Sequence, residues 1–102
     1  MTFQLVLQFN GDSLIDYDAM VTLEDELIQE LGDTADVDGH DIGAGQTNIF
    51  IVTSHPESTF GRAKAVLERS HLLGSVAAAY RPVAEQSFTV LWPAHRQVFS
   101  VA

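Results

Sequence analysis

The chain has no cysteine among its 102 residues and no lysine or arginine before Arg62. The first absence excludes disulfides, thiolate nucleophiles and zinc sites built on cysteine, and it suits a reducing compartment. The second segregates the charge. Residues 1–54 carry eleven carboxylates and no base, and residues 55–102 carry three carboxylates and five bases, within a total of −9. Proline is scarce as well, and Pro56, Pro82 and Pro93 each fall at the boundary of a periodic segment. No stretch reaches the roughly eighteen consecutive apolar residues that a membrane span needs. The start, Met1 to Phe9, has no basic residue and is interrupted by Gln4 and Gln8, unlike a signal peptide. These absences predict a soluble, cytoplasmic protein that anionic lipid and nucleic acid both repel.

What is present suits one α+β domain over residues 1–102, a length that can bury one core without staples. Phe3, Leu5, Leu7 and Phe9 alternate with Gln4 and Gln8, as in a strand with one fully buried face, and Val6 implies cover on the other face too. Asn10-Gly11-Asp12-Ser13 has turn chemistry. From about Asp18, the positions Met20, Leu23, Leu27, Ile28 and Leu31 recur at helical spacing. Thr22 with Asp25 marks a second candidate start, and Gly32 stands where a left-handed cap belongs. Ala35 to Ile42 reads as a polar strand, Gly43-Ala44-Gly45-Gln46 as a hairpin loop, and Thr47 to Thr53 as the most strand-prone segment. Ser54 or His55 can cap a second helix with Pro56 at its first position. Phe60, Ala63, Val66, Leu67 and Ser70 then face inward, His71 lies in the last turn, and Gly74 ends the helix. Val76 to Arg81 and Phe88 to Trp92 follow as strands, and Gln97 to Val101 as an additional edge strand.

Strand, helix, strand, strand, helix, strand is the order of a ferredoxin-like βαββαβ sandwich, here with one or two extra C-terminal strands and both helices on one face of an antiparallel sheet. In that topology the first and third strands are central and the second is an edge. The distribution of polar residues agrees, because the most apolar segments fall on the first and third strands.

Few constellations suggest chemistry. Asp36, Asp38 and His40 stand at alternate positions, so a regular strand would point all three to one face, where they could meet a cation. The simpler reading is a solvated polar edge, and no metal or cofactor is expected. A calcium loop fails, since aligning it on Asp36, Asp38 and Gly39 puts Thr34 and Gly45 where carboxylates are required. Gly43-Ala44-Gly45 leads to Asn48 and a strand, with no helix N-terminus for a phosphate. His40, His55, His71 and His95 form no helical ligand pair, and Ser13, Ser54 and Ser58 lack a nucleophile elbow, so no catalytic residues are assigned and the chain reads as a non-enzyme. Tyr80, Trp92, Phe88 and Phe99 read as core, with an alternative role lining a pocket on the open sheet face. The strands that expose aromatics and bases in RNA-binding relatives of this topology hold no base here.

Val37-Asp38-Gly39-His40-Asp41-Ile42-Gly43, Asn48-Ile49-Phe50-Ile51 and Val90-Leu91-Trp92-Pro93 resemble a group of small bacterial ferredoxin-like α+β proteins without an assigned activity. Their compact acidic character is similar to that of the immunity proteins that neutralise polymorphic toxins. The resemblance implies a stand-alone bacterial protein and no catalytic residues. Asp16 and Asp18 favour the N-terminal end of the first helix, and Glu24, Asp25, Glu26 and Glu30 surround its outward side. The leading expectation is therefore a protein-binding module, an immunity-type inhibitor whose Glu24, Glu26, Glu30, Asp36, Asp38, His40 and Asp41 contact a basic, toxin-like partner. The alternative is a ligand-sensing module, or a dimer through an edge strand, that holds a small molecule near His40, Asn48 and Trp92.

Overall fold

The computed structural model describes residues 1–10, 17–43, 45–95 and 99–101. Strand β1 (Phe3–Asn10) leads to helix α1 (Tyr17–Leu31), a short 3-10 turn (Gly32–Thr34), and strands β2 (Asp36–Gly43) and β3 (Gln46–Thr53). Helix α2 (Pro56–Arg69), a second 3-10 turn (Leu73–Ser75), and strands β4 (Val76–Pro82) and β5 (Thr89–Trp92) complete the order. The five strands form one antiparallel sheet in the order β2-β3-β1-β4-β5. The architecture is α+β and consistent with a ferredoxin-like fold, with β1 and β3 inside the sheet and the polar β2 at one edge. The expected Asn10–Ser13 turn falls largely outside the described residues, as do Asp16 and Ala44.

Alternation sorts the strand residues between two faces. Leu5, Leu7 and Phe9 of β1, Ile49 and Ile51 of β3, and Val76 and Ala78 of β4 meet Met20, Leu23, Leu27 and Leu31 of α1 and Phe60, Ala63, Val66 and Leu67 of α2 in one buried cluster. Both helices thus lie on the same face of the sheet. Removing a side chain such as Leu27, which is fully buried, would cost about 2–5 kcal/mol. Val6, Gln8, Asn48, Ala77 and Ala79, which alternate onto the opposite face, are buried too. Part of their cover is the described C-terminal segment, since Gln8 Nε2 donates to the Ser100 carbonyl at 2.8 Å. Residues 99–101 form no strand, and residues 96–98 of the expected edge strand lie outside the described residues.

Some local details follow the sequence expectations and others depart from them. Helix α1 begins at Tyr17, and Ile28, expected on its buried side, is 52% exposed. Gly32 has φ +53, the left-handed conformation expected after the helix. Helix α2 ends at Arg69, well before Gly74. His71 takes the left-handed position at φ +58, and His71 N–H donates to the Glu68 carbonyl at 3.1 Å while Leu72 N–H donates to the Leu67 carbonyl at 2.8 Å. This is a complete Schellman cap with histidine where glycine is usual, so sequence reasoning looked for the wrong residue. At the other end His55 is the N-cap residue, and its own N–H donates to Thr53 Oγ1 at 3.0 Å.

Candidate functional site

The polar edge β2 is not a regular strand. Asp36 pairs with Val52 and Val37 with Ile51, but Gly39 pairs with Phe50 and His40 with Ile49, which leaves Asp38 as the extra residue of a β-bulge. Gly39 takes φ +138, a conformation open to glycine and to few other residues. One extra residue reverses the alternation. Asp36 shares the face of Val52, opposite the helices, and His40 shares the helix face with Ile49. The regular-strand expectation that Asp36, Asp38 and His40 point to one face is therefore corrected, and no group of three metal-ligating side chains occurs among the described residues.

His40 instead reaches α1. Its Nδ1 lies 3.1 and 3.2 Å from the two carboxylate oxygens of Glu24, and its ring meets Tyr17 edge-on at 5.8 Å between centroids. The carboxylate side chain is 14% exposed and the imidazole 30%, so the pair sits in a partly closed seam between helix and edge strand.

Glu30 is also engaged internally. Arg62 Nη2 approaches Glu30 Oε2 at 3.7 Å, Arg69 Nη1 approaches Glu30 Oε1 at 3.6 Å, and Arg62 also donates to the Glu30 carbonyl. Arg62 Nη1 continues to Thr34 Oγ1 at 3.0 Å. Glu26 accepts a long hydrogen bond from Ser70 at 3.5 Å. The later arginines thus tie α2 to α1, and the acidic helix is partly neutralised from within the chain.

Of the seven residues expected to grip a partner, Glu24, His40 and Glu30 are in these internal contacts and Glu26 is at the margin of one. Asp36, Asp38 and Asp41 are exposed on β2, and none has an ion pair among the described residues. Asp41 pairs with Asn48 in the register, so it returns to the face of Asp36. Along this outer sheet edge the acids therefore have no base against them among the described residues.

The alternative trio does not assemble. His40 is on β2, Trp92 is on β5 at the far edge, and Asn48 is on the opposite face, where its Oδ1 accepts from Gln8 Nε2 at 3.0 Å. A second bulge explains Trp92. Ala78 pairs with Trp92 and Ala79 with Val90, so Leu91 is the extra residue and the indole turns toward the helices. There it lies 6.4 Å from Phe60, donates from Nε1 to the Leu73 carbonyl at 3.1 Å, and receives Lys64 Nζ over its ring at 4.4 Å. The four aromatics accordingly divide: Tyr80 and Trp92 pack against the core, whereas Phe88 and Phe99 meet each other at 5.0 Å on the open face.

Those last two rings belong to a groove that sequence reasoning missed in this form. Gln4, Phe50, Arg81, Gln86, Phe88, Phe99, Ser100 and Val101 line a cavity of about 500 Å³. The legible signal was Gln4 and Gln8, polar residues on the hidden side of a central strand. What the sequence could not show is that the chain after β5 returns over that side.

No family model matches the chain, and no curated protein or solved structure matches it either.

Proposed function

We propose that the chain is a non-enzymatic protein-binding module with a ferredoxin-like fold, and that its acidic edge strand β2 receives a basic protein partner in the bacterial cytoplasm. An immunity-type inhibitor of a basic toxin fits this chemistry. One observation carries the proposal: Asp36, Asp38 and Asp41 stand exposed on a free edge without a base against them among the described residues, while Glu24 and Glu30 of α1 are engaged within the fold. Carboxylates in that position steer a basic surface and set its register. The bulge and the carboxylates also oppose pairing of β2 with another strand edge, which favours recognition by side chains over β-sheet extension and over a homodimer through this edge.

The test is affinity purification of the tagged protein from its host at low and high salt, comparing Asp36→Lys/Asp41→Lys with the charge-matched control Glu57→Lys/Glu85→Lys. The proposal expects a stoichiometric basic protein that is lost at high salt, lost with the β2 variant and kept with the control. Equal loss with both variants would mean that net charge, and not this edge, does the binding. Recovery with both would place the partner elsewhere on the surface.

A further inference from the structure

Arg81 is in an unusual electrostatic position for so acidic a chain. Arg62 and Arg69 meet the Glu30 carboxylate, but Arg81 meets none among the described residues. Its Nη1 donates to the carbonyls of Pro82, Val83 and Glu85, at 3.4, 3.0 and 2.8 Å. These contacts hold the guanidinium in place on the β4–β5 turn without neutralising it. Nε and Nη2 have no acceptor among the described residues, although a guanidinium offers five N–H donors in a fixed plane. The residue directly across the ladder is Gln4, a neutral amide, where an isosteric glutamate would complete an ion pair.

The surroundings of this cation have the form of a ligand site. Among the described residues that line the groove, Arg81 is the one that carries a charge, and the groove's volume of about 500 Å³ lies within the range of small-molecule pockets. Phe50, Phe88 and Phe99 supply apolar walls, Gln4 and Gln86 supply amides, and the guanidinium carbon lies 6.0 Å from the Phe88 ring centre. Rings beside a planar cation favour a flat apolar body carrying one anionic group, because a carboxylate can take two parallel N–H bonds from arginine.

We infer that this groove on the open face of the sheet binds a small planar carboxylate, with Arg81 as its charge partner and the phenylalanines as its walls. The site is separate from the acidic edge and does not depend on the protein-binding function. A ligand of this kind would lie beside Phe99 and Ser100, so its occupancy would also brace the C-terminal segment against the sheet.

The test uses the full chain and two matched probes, 1-naphthoate and its neutral amide 1-naphthamide, followed by two-dimensional amide NMR. The expected result is that naphthoate shifts the signals of residues 4, 50, 81, 86, 88 and 99 and half-saturates at a concentration at least tenfold below that of the amide. Gln4→Glu, an isosteric change that gives Arg81 an internal carboxylate, should remove this tenfold preference while preserving the dispersed spectrum. Arg81→Gln should do the same, and if it disturbs the turn, Gln4→Glu still decides the matter. Equal binding of acid and amide, shifts centred away from the groove, no shifts at millimolar probe, or an unchanged preference in Gln4→Glu would each overturn the inference.

Discussion

The imidazole of His40 is held against the carboxylate of Glu24, with Nδ1 at 3.1 and 3.2 Å from its two oxygens, so that edge strand β2 is tied to helix α1 by a side-chain pair. The tie exists because the bulge at Asp38 turns His40 toward the helices. Because a carboxylate accepts and does not donate, Nδ1 is the donor in the shared bond.

A double-mutant cycle with Glu24→Ala and His40→Ala measures this tie. A coupling of about 0.5–1.5 kcal/mol is expected, the range of an ordinary intramolecular hydrogen bond, because partial exposure of the pair lets solvent screen its charge. Chemical denaturation of the four proteins gives the value. Additive effects would mean that the two elements are not joined through this pair.

Two backbone positions should respond in opposite directions. Gly39→Ala has open space for its new carbon, since no atom beyond its own chain neighbours lies within 4 Å, so its cost comes from φ +138 and should reach about 1–3 kcal/mol. His71→Gly relieves a non-glycine residue at φ +58 and should stabilise the protein by about 0.5–1 kcal/mol. Denaturant midpoints with unchanged slopes would confirm both. A neutral Gly39→Ala would show that the bulge is not maintained in solution.

Charge reversal separates acids that hold the fold from acids that face outward. Glu30→Lys sets a third cation beside Arg62 and Arg69 and should lower stability by about 1 kcal/mol at low salt, with part of the loss recovered as salt rises. Asp36→Lys should change stability by no more than about 0.5 kcal/mol, because it breaks no ion pair among the described residues. Thermal melts at two ionic strengths distinguish them, and a larger loss for Asp36→Lys would refute this division.

Gln8 anchors the covered side of the sheet. It is 1% exposed, and its amide donates to Asn48, Ser100 and, at 3.3 Å, to Gln46. Gln8→Leu keeps the volume but strips these acceptors of their donor, at a cost of about 1–3 kcal/mol. The Phe88 and Phe99 ring signals should lose the mutual shifts that their 5.0 Å contact produces. Retention of those shifts would mean that the C-terminal segment is held without Gln8.

The candidate sites were legible only in part. The acids of β2 could be read directly, and their exposure follows from the polarity of the strand. Glu24 and Glu30 could be read as acidic but not as engaged, because their partners, His40 in one case and Arg62 and Arg69 in the other, are brought to them by the folding of other elements. The groove was still less visible, since Gln4 and Arg81 are distant in sequence and meet only through the β1–β4 register.

Periodicity by itself determined the two helices and the principal strands, because burial of one face imposes a repeat that a sequence displays openly, and the placing of apolar and polar segments agreed with the central places of β1 and β3 and the edge place of β2 that the inferred topology requires. Tertiary structure decided which face the chemically interesting residues occupy. A single extra residue, Asp38 in β2 or Leu91 in β5, reverses the alternation of everything beyond it in the strand. Such a bulge is defined by pairing with a neighbouring strand, and pairing is a relation between distant segments that no local pattern contains.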